Sequence, residues 1–120
     1  MRSILIYNQS GIEKELVGEL KEIHKDSYEF TYSKEWLKLP YGVDIDNELP
    51  VDKGVLTFKE LPAFFKARIP EETNSFREKL LIEFGLSPKE TDPLKLLATV
   101  GRKGGSTLIL EASGFNPKNA

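Results

Sequence analysis

Cysteine is missing from this chain of 120 residues, and histidine occurs once, at His24. No disulfide framework and no thiolate metal site can form, and a reducing compartment suits such a composition. His24 has no second histidine and no cysteine to join it in a metal site or a nucleophilic pair. Between Lys25 and Asp26 it reads as a solvated residue. Long hydrophobic runs are also lacking. Ile4-Leu5-Ile6-Tyr7 is too short for a signal segment, and nothing approaches the ~18 apolar residues of a membrane span. The expectation is a cytoplasmic protein with no membrane partner. Neither sign of charge dominates: 17 basic and 19 acidic residues leave a net charge of -2. That balance offers no long-range attraction to phosphate backbones, so direct nucleic-acid binding is not expected.

What is present suits one globular domain, with 39% hydrophobic and 30% charged residues. The N-terminal half has strand signals. Ile4 to Tyr7 is bounded by the turn composition Asn8-Gln9-Ser10-Gly11, a second strand is expected at Leu16 to Ile23, and Tyr28-Glu29-Phe30-Thr31-Tyr32 alternates with period two. Ser33 is placed to cap a helical turn carrying Trp36 and Leu37, which Pro40-Tyr41-Gly42 ends. Val43 to Val51, broken by Asp44, Asp46, Asn47 and Pro50, reads as a short edge strand or an irregular crossing.

Beyond Leu56 the pattern turns helical. A helix is expected to start at Pro62 and to close at Pro70; the alternative start at Thr57, with Glu60 completing a capping box, would bury Pro62 inside it. Phe76, Leu80, Leu81 and Phe84 recur at helical spacing between Glu72 and Phe84, ahead of Gly85 as terminator. A third helix is expected from the cap Asp92 and Pro93 to Val100, closed by Gly101, and a last strand at Thr107 to Leu110. The domain is expected to span residues 1–112, followed by a flexible tail over 113–120. Phe64, Phe76, Leu80 and Leu97 are assigned to the core, as are Phe30 and Phe84.

The chemistry-bearing candidates are few. Arg102-Lys103-Gly104-Gly105-Ser106-Thr107 is basic and glycine-rich, but it follows a helix and precedes a strand, the reverse of a phosphate loop, so a tight connection is expected. Glu71-Glu72 and Asp44/Asp46 sit at helix starts or in loops, where capping or solvation suffices. No catalytic, metal-binding or cofactor-binding residue is expected. Trp36 and Phe65 are either core residues or, if exposed, interface anchors.

Leu61-Pro62-Ala63-Phe64-Phe65, the turn Ile69-Pro70-Glu71-Glu72 and the segment Leu96-Leu97-Ala98-Thr99-Val100-Gly101-Arg102 occur in order. Together with the upstream Tyr28-Glu29-Phe30-Thr31-Tyr32 and Glu35-Trp36-Leu37, they resemble the N-terminal subdomain of HipA-type serine/threonine kinase toxins, over roughly Ile4 to Leu110. Such a kinase needs a phosphate loop, a catalytic aspartate and metal ligands on a second lobe, for which 120 residues leave no room. A free-standing subdomain resembles HipS, the small component of HipBST systems. The resemblance implies an antitoxin that docks on a shortened kinase toxin, HipT, and blocks its phosphorylation of a target, with a HipB-type DNA-binding protein in the same assembly. The chain departs from the family pattern at Ala67-Arg68-Ile69, Glu72 and Lys103.

The resulting expectation is a non-enzymatic α+β domain, a small mostly antiparallel sheet covered by about three helices, that works by binding protein. Its expected partner-binding residues are Trp36, Phe65, Lys66, Arg68, Glu71, Glu72 and Lys103. A nucleic-acid-binding or other adaptor module is the alternative, and a small enzyme the third; the first requires salt-dependent binding and the second a cleft with a strongly shifted titratable group.

Overall fold

Strands that alternate apolar and polar residues can each bury one face, and the N-terminal third of the chain does so three times. β1 (Ser3–Ser10), β2 (Glu13–His24) and β3 (Ser27–Tyr32) form an antiparallel meander. A computed structural model describes residues 1–118. In it β4 (Leu56–Phe58) and β5 (Leu108–Ser113) complete a five-stranded sheet of order β4-β3-β2-β1-β5, antiparallel throughout. With its few short helices this is the expected α+β class.

The register sets the faces. Ile4 lies opposite Leu20 and Ala112, Ile6 opposite Gly18 and Leu110, and Leu20 opposite Phe30. Ile4, Ile6, Leu20, Phe30 and Leu110 are all fully buried on the inner face. The other face carries Leu5, Glu19, Thr31 and Glu111 in matching register. A bulge after Ile6 leaves Val17 unpaired yet buried. At Gly18 the strands come so close that a Cβ would lie 2.6 Å from the Thr31 carbonyl oxygen.

Side-chain hydrogen bonds tie down the connection after β3. Ser33 caps α1 (Lys34–Lys38) by accepting from the Trp36 N–H at 3.0 Å. The indole N–H of Trp36 donates to the Val43 carbonyl, also at 3.0 Å. Tyr32, on the inner face, donates its hydroxyl proton to the Leu49 carbonyl and accepts from the Ile45 N–H. Residues 43–50 are therefore an irregular crossing, and the edge strand falls later, at β4. Pairing of Thr57 with Glu29 in that strand removes the alternative helix start at Thr57.

Three short helices follow: α2 (Ala63–Lys66), α3 (Arg77–Glu83) and α4 (Pro93–Leu97). Phe65, Leu94, Leu97 and Ala98 join the sheet's inner side chains in the main core, while Leu81, Leu86 and Leu96 form a second, smaller cluster. All three helices are shorter than their sequence patterns. Residues 72–76 turn instead of coiling, because the Asn74 side chain accepts from the Phe76 N–H at 2.8 Å. α3 then ends as expected: Gly85 takes φ 79°, its N–H meets the Ile82 carbonyl, and the Leu86 N–H meets that of Leu81. This is a Schellman closure with Leu86 packed against Leu81.

The late start of α3 corrects the core. Phe76 is 68% exposed and Phe84 40% exposed, because they occupy the two ends of the helix; Leu81 is the fully buried residue, and Leu80 is only half-buried. Leu97 is buried and Phe64 packs against the core from its edge. After β5, where a tail is expected, Phe115 packs against the main core and beneath the Arg2 guanidinium. Asn119 and Ala120, the end of that expected tail, lie outside the described residues.

Candidate partner-binding surface

Short helices satisfy few of their own backbone groups, and two arginines supply donors to the segment that carries them. Arg68, just past α2, donates through Nε to the Gly101 carbonyl at 2.7 Å and through Nη2 to the carbonyls of Arg102 and Leu108, each at 3.0 Å. Burial lowers its pKa below the ordinary arginine value. Gly101 fits under this clasp because it has no side chain: a Cβ there would stand 3.0 Å from the Arg68 carbonyl oxygen and 3.1 Å from the Leu97 Cα. Arg77 does similar work, donating to the carbonyls of Pro70 and Glu90.

The basic glycine-rich loop is held by the same network. The Leu110 N–H donates to the Arg102 carbonyl, and Lys103 bridges to Ile109. Residues 102–107 thus fold back on β5 as a tight connection.

A cleft of about 420 Å³ opens between the β2–β3 turn, the segment from α2 to α3 and the start of α4. Its lining includes Tyr28, Leu61, Lys66, Ile69, Glu71, Glu72 and Leu96. Lys66 lies 3.5 Å from Glu60, while Glu71 and Glu72 are exposed and form no ion pair among the described residues. A second hollow of about 480 Å³ shares Glu72 and Arg77 and is walled mostly by polar residues. Burial, then the nearby carboxylates of Glu22 and Asp26, raises the Tyr28 pKa. No three His, Asp or Glu side chains group to hold a metal ion among the described residues, and no helix there is long and apolar enough to cross a membrane.

The sequence model of the HipA N-terminal domain matches residues 11–106, which takes in the cleft, Arg68 with Gly101 and Arg102, and α1 to α4. The chain belongs to the HipA N-terminal domain family. That membership relates it to HipA and so to toxin-antitoxin components.

Within this HipA N-terminal domain the expected binding residues separate into three groups. Lys66, Glu71 and Glu72 come together on one cleft. Lys103 is exposed but lines a different hollow, with Gln9, Gly104 and Thr107. The other three are corrected. Phe65 is fully buried against the Phe30 ring, at 6.1 Å between centroids, and Trp36 is buried with its indole N–H already bonded, so neither offers an anchor at the surface. Arg68 faces backbone carbonyls and works as an internal fastener.

Sequence reasoning missed the exposed apolar side chains of α3. Besides Phe76 and Phe84, Ile82 is 59% exposed. A signal was present: Phe76, Leu80, Leu81, Ile82 and Phe84 are more apolar positions than one helix face can bury.

Proposed function

We propose that the chain is an antitoxin that binds a HipT-type serine/threonine kinase and inhibits it by occupying it, without catalytic activity of its own. In this reading it fills the HipS role in a three-component system, with a HipB-type DNA-binding protein as the third member of the complex. One observation carries the proposal: within a HipA N-terminal domain, the α3 segment exposes Phe76, Ile82 and Phe84, and the turn before it brings Glu71 and Glu72 to one cleft with Lys66. Large apolar side chains left in water by a small domain are available to a partner, and aromatic anchors such as Phe76 and Phe84 dominate binding energy.

Coexpression with a separately encoded HipT-type kinase tests it. The chain should co-purify with the kinase and relieve its toxicity. Replacing Phe76→Ser and Ile82→Ser together, both exposed and so neutral for folding, should weaken the complex ~10-fold or more. Absence of a complex at micromolar concentration would sink the proposal.

A further inference from the structure

We propose that the 420 Å³ cleft between the β2–β3 turn, the α2–α3 segment and the start of α4 receives one arginine or lysine side chain, presented by an extended segment of a partner protein. The inference deepens the kinase-docking reading and rests on it only for the identity of that partner.

Three properties of the cleft select this occupant. Its walls include Leu61, Ile69, Pro93 and Leu96, an apolar lining suited to the aliphatic stem of a long basic side chain. Around them stand four carboxylates, Asp26, Glu60, Glu71 and Glu72, against two cations, Lys66 and Arg77. Lys66 is taken by Glu60, and Arg77 is committed to the carbonyls of Pro70 and Glu90. Asp26, Glu71 and Glu72 have no ion pair among the described residues, which leaves the site with a negative excess.

The third property is independent of charge. Tyr28 lines the cleft, is only 2% exposed, and its hydroxyl has no hydrogen-bond partner among the described residues. Tyr32 makes the contrast: four residues along the same strand face, its hydroxyl both donates and accepts. The Tyr28 hydroxyl is not sealed in: among the described residues Glu15 Oε2 is the one fully enclosed side-chain atom without a partner, so the Tyr28 oxygen keeps contact with solvent and is open to an incoming donor. A guanidinium or ammonium N–H entering the cleft would donate to the Tyr28 oxygen while the carboxylates neutralise its charge. A phosphate or an acidic side chain would be repelled, and a purely apolar one would leave the hydroxyl and the carboxylates unanswered.

Titration of the isotope-labelled full chain with the peptide Ac-Ala-Arg-Leu-NH₂, followed by amide NMR shifts, tests the cleft directly. Saturable shifts at Tyr28, Ile69, Glu71 and Leu96 are expected, with a dissociation constant on the order of millimolar. The citrulline peptide, equal in shape but uncharged, should bind ~10-fold more weakly. Glu71→Lys with Glu72→Lys, both at exposed positions, should abolish the shifts. Tyr28→Phe keeps the ring and should weaken binding about fivefold. Equal shifts from arginine and citrulline peptides, shifts that survive the double charge reversal, or no shifts at all would overturn the proposal. Peptide binding without co-purification of a kinase would leave the cleft standing and remove the kinase reading; co-purification without peptide shifts would do the reverse.

Discussion

The sheet and the helical segment that follows it are held together by different means. Across β1, β2, β3 and β5 the inner side chains interlock in register, and Ile4, Ile6, Leu20, Phe30 and Leu110 leave nothing exposed. From α2 to α4 the helices have only four, seven and five residues. Each buries one or a few side chains, such as Phe65, Leu81 and Leu97, their connections are fastened by guanidinium groups reaching backbone carbonyls, and Phe76, Ile82 and Phe84 remain outside. A sheet that buries a whole face in register keeps none of that face's apolar groups for a partner, whereas short helices that bury one side and rely on polar fasteners for the rest keep some.

Substitutions test that contrast. The largest effect is expected at Phe30, which packs edge-on to Tyr32 at 4.9 Å and against Phe65. Phe30→Ala should cost about 3–5 kcal/mol and lower the midpoint of one cooperative transition in denaturant. If only part of the chain unfolds, the two regions are energetically separate.

Arg68→Met comes next. It removes the donors to three carbonyls while keeping the stem, and should cost ~2 kcal/mol. Faster amide exchange is expected at Gly101 and Leu110 with the sheet unchanged. Arg68→Lys should not rescue it, because one ammonium lacks the planar fork that serves Gly101, Arg102 and Leu108 together. Full rescue by lysine would show that charge alone matters.

Gly85→Ala should cost about 1 kcal/mol through its φ of 79°. Thermal melts of this variant should show a small shift, with partner binding retained if α3 keeps its length.

The smallest effect concerns Glu111 on the outer face. A hydrogen bond from Lys14, helped by Arg102, holds its carboxyl below the ordinary glutamate value despite partial burial. A depressed folded-state pKa contributes stability that is present above the unfolded value and lost as pH falls through the folded one. Glu111→Gln should therefore lower stability by no more than ~1 kcal/mol at neutral pH. The difference from the parent chain should vanish on acidification, as read by denaturant midpoints at several pH values.

Much of the fold was legible because local chemistry names its own outcome. Tyr28, Phe30 and Tyr32 alternate and are buried on one face; Ser33 and Asp92 cap helices; Gly85 closes one. Helix lengths were less legible, since the hydrogen bond of Asn74 to the Phe76 N–H competes with coiling and has no periodic signature. In the candidate site, the carboxylates and Lys66 could be picked out as charged residues beside a turn. Their meeting with Tyr28, which is about forty residues earlier in sequence, depends on how α2 and α4 seat against β3.

The sequence by itself determined the class of the domain, the buried face of β3 and the capped helix ends at Ser33, Gly85 and Asp92, because period, caps and glycines act over a few residues. Tertiary structure alone decided that Phe65 and Trp36 are inside and Phe76 is outside, that Arg68 fastens loops, and that Glu71, Glu72 and Tyr28 share one cleft. Exposure and convergence depend on which distant surfaces meet, and that is a property of the packed whole.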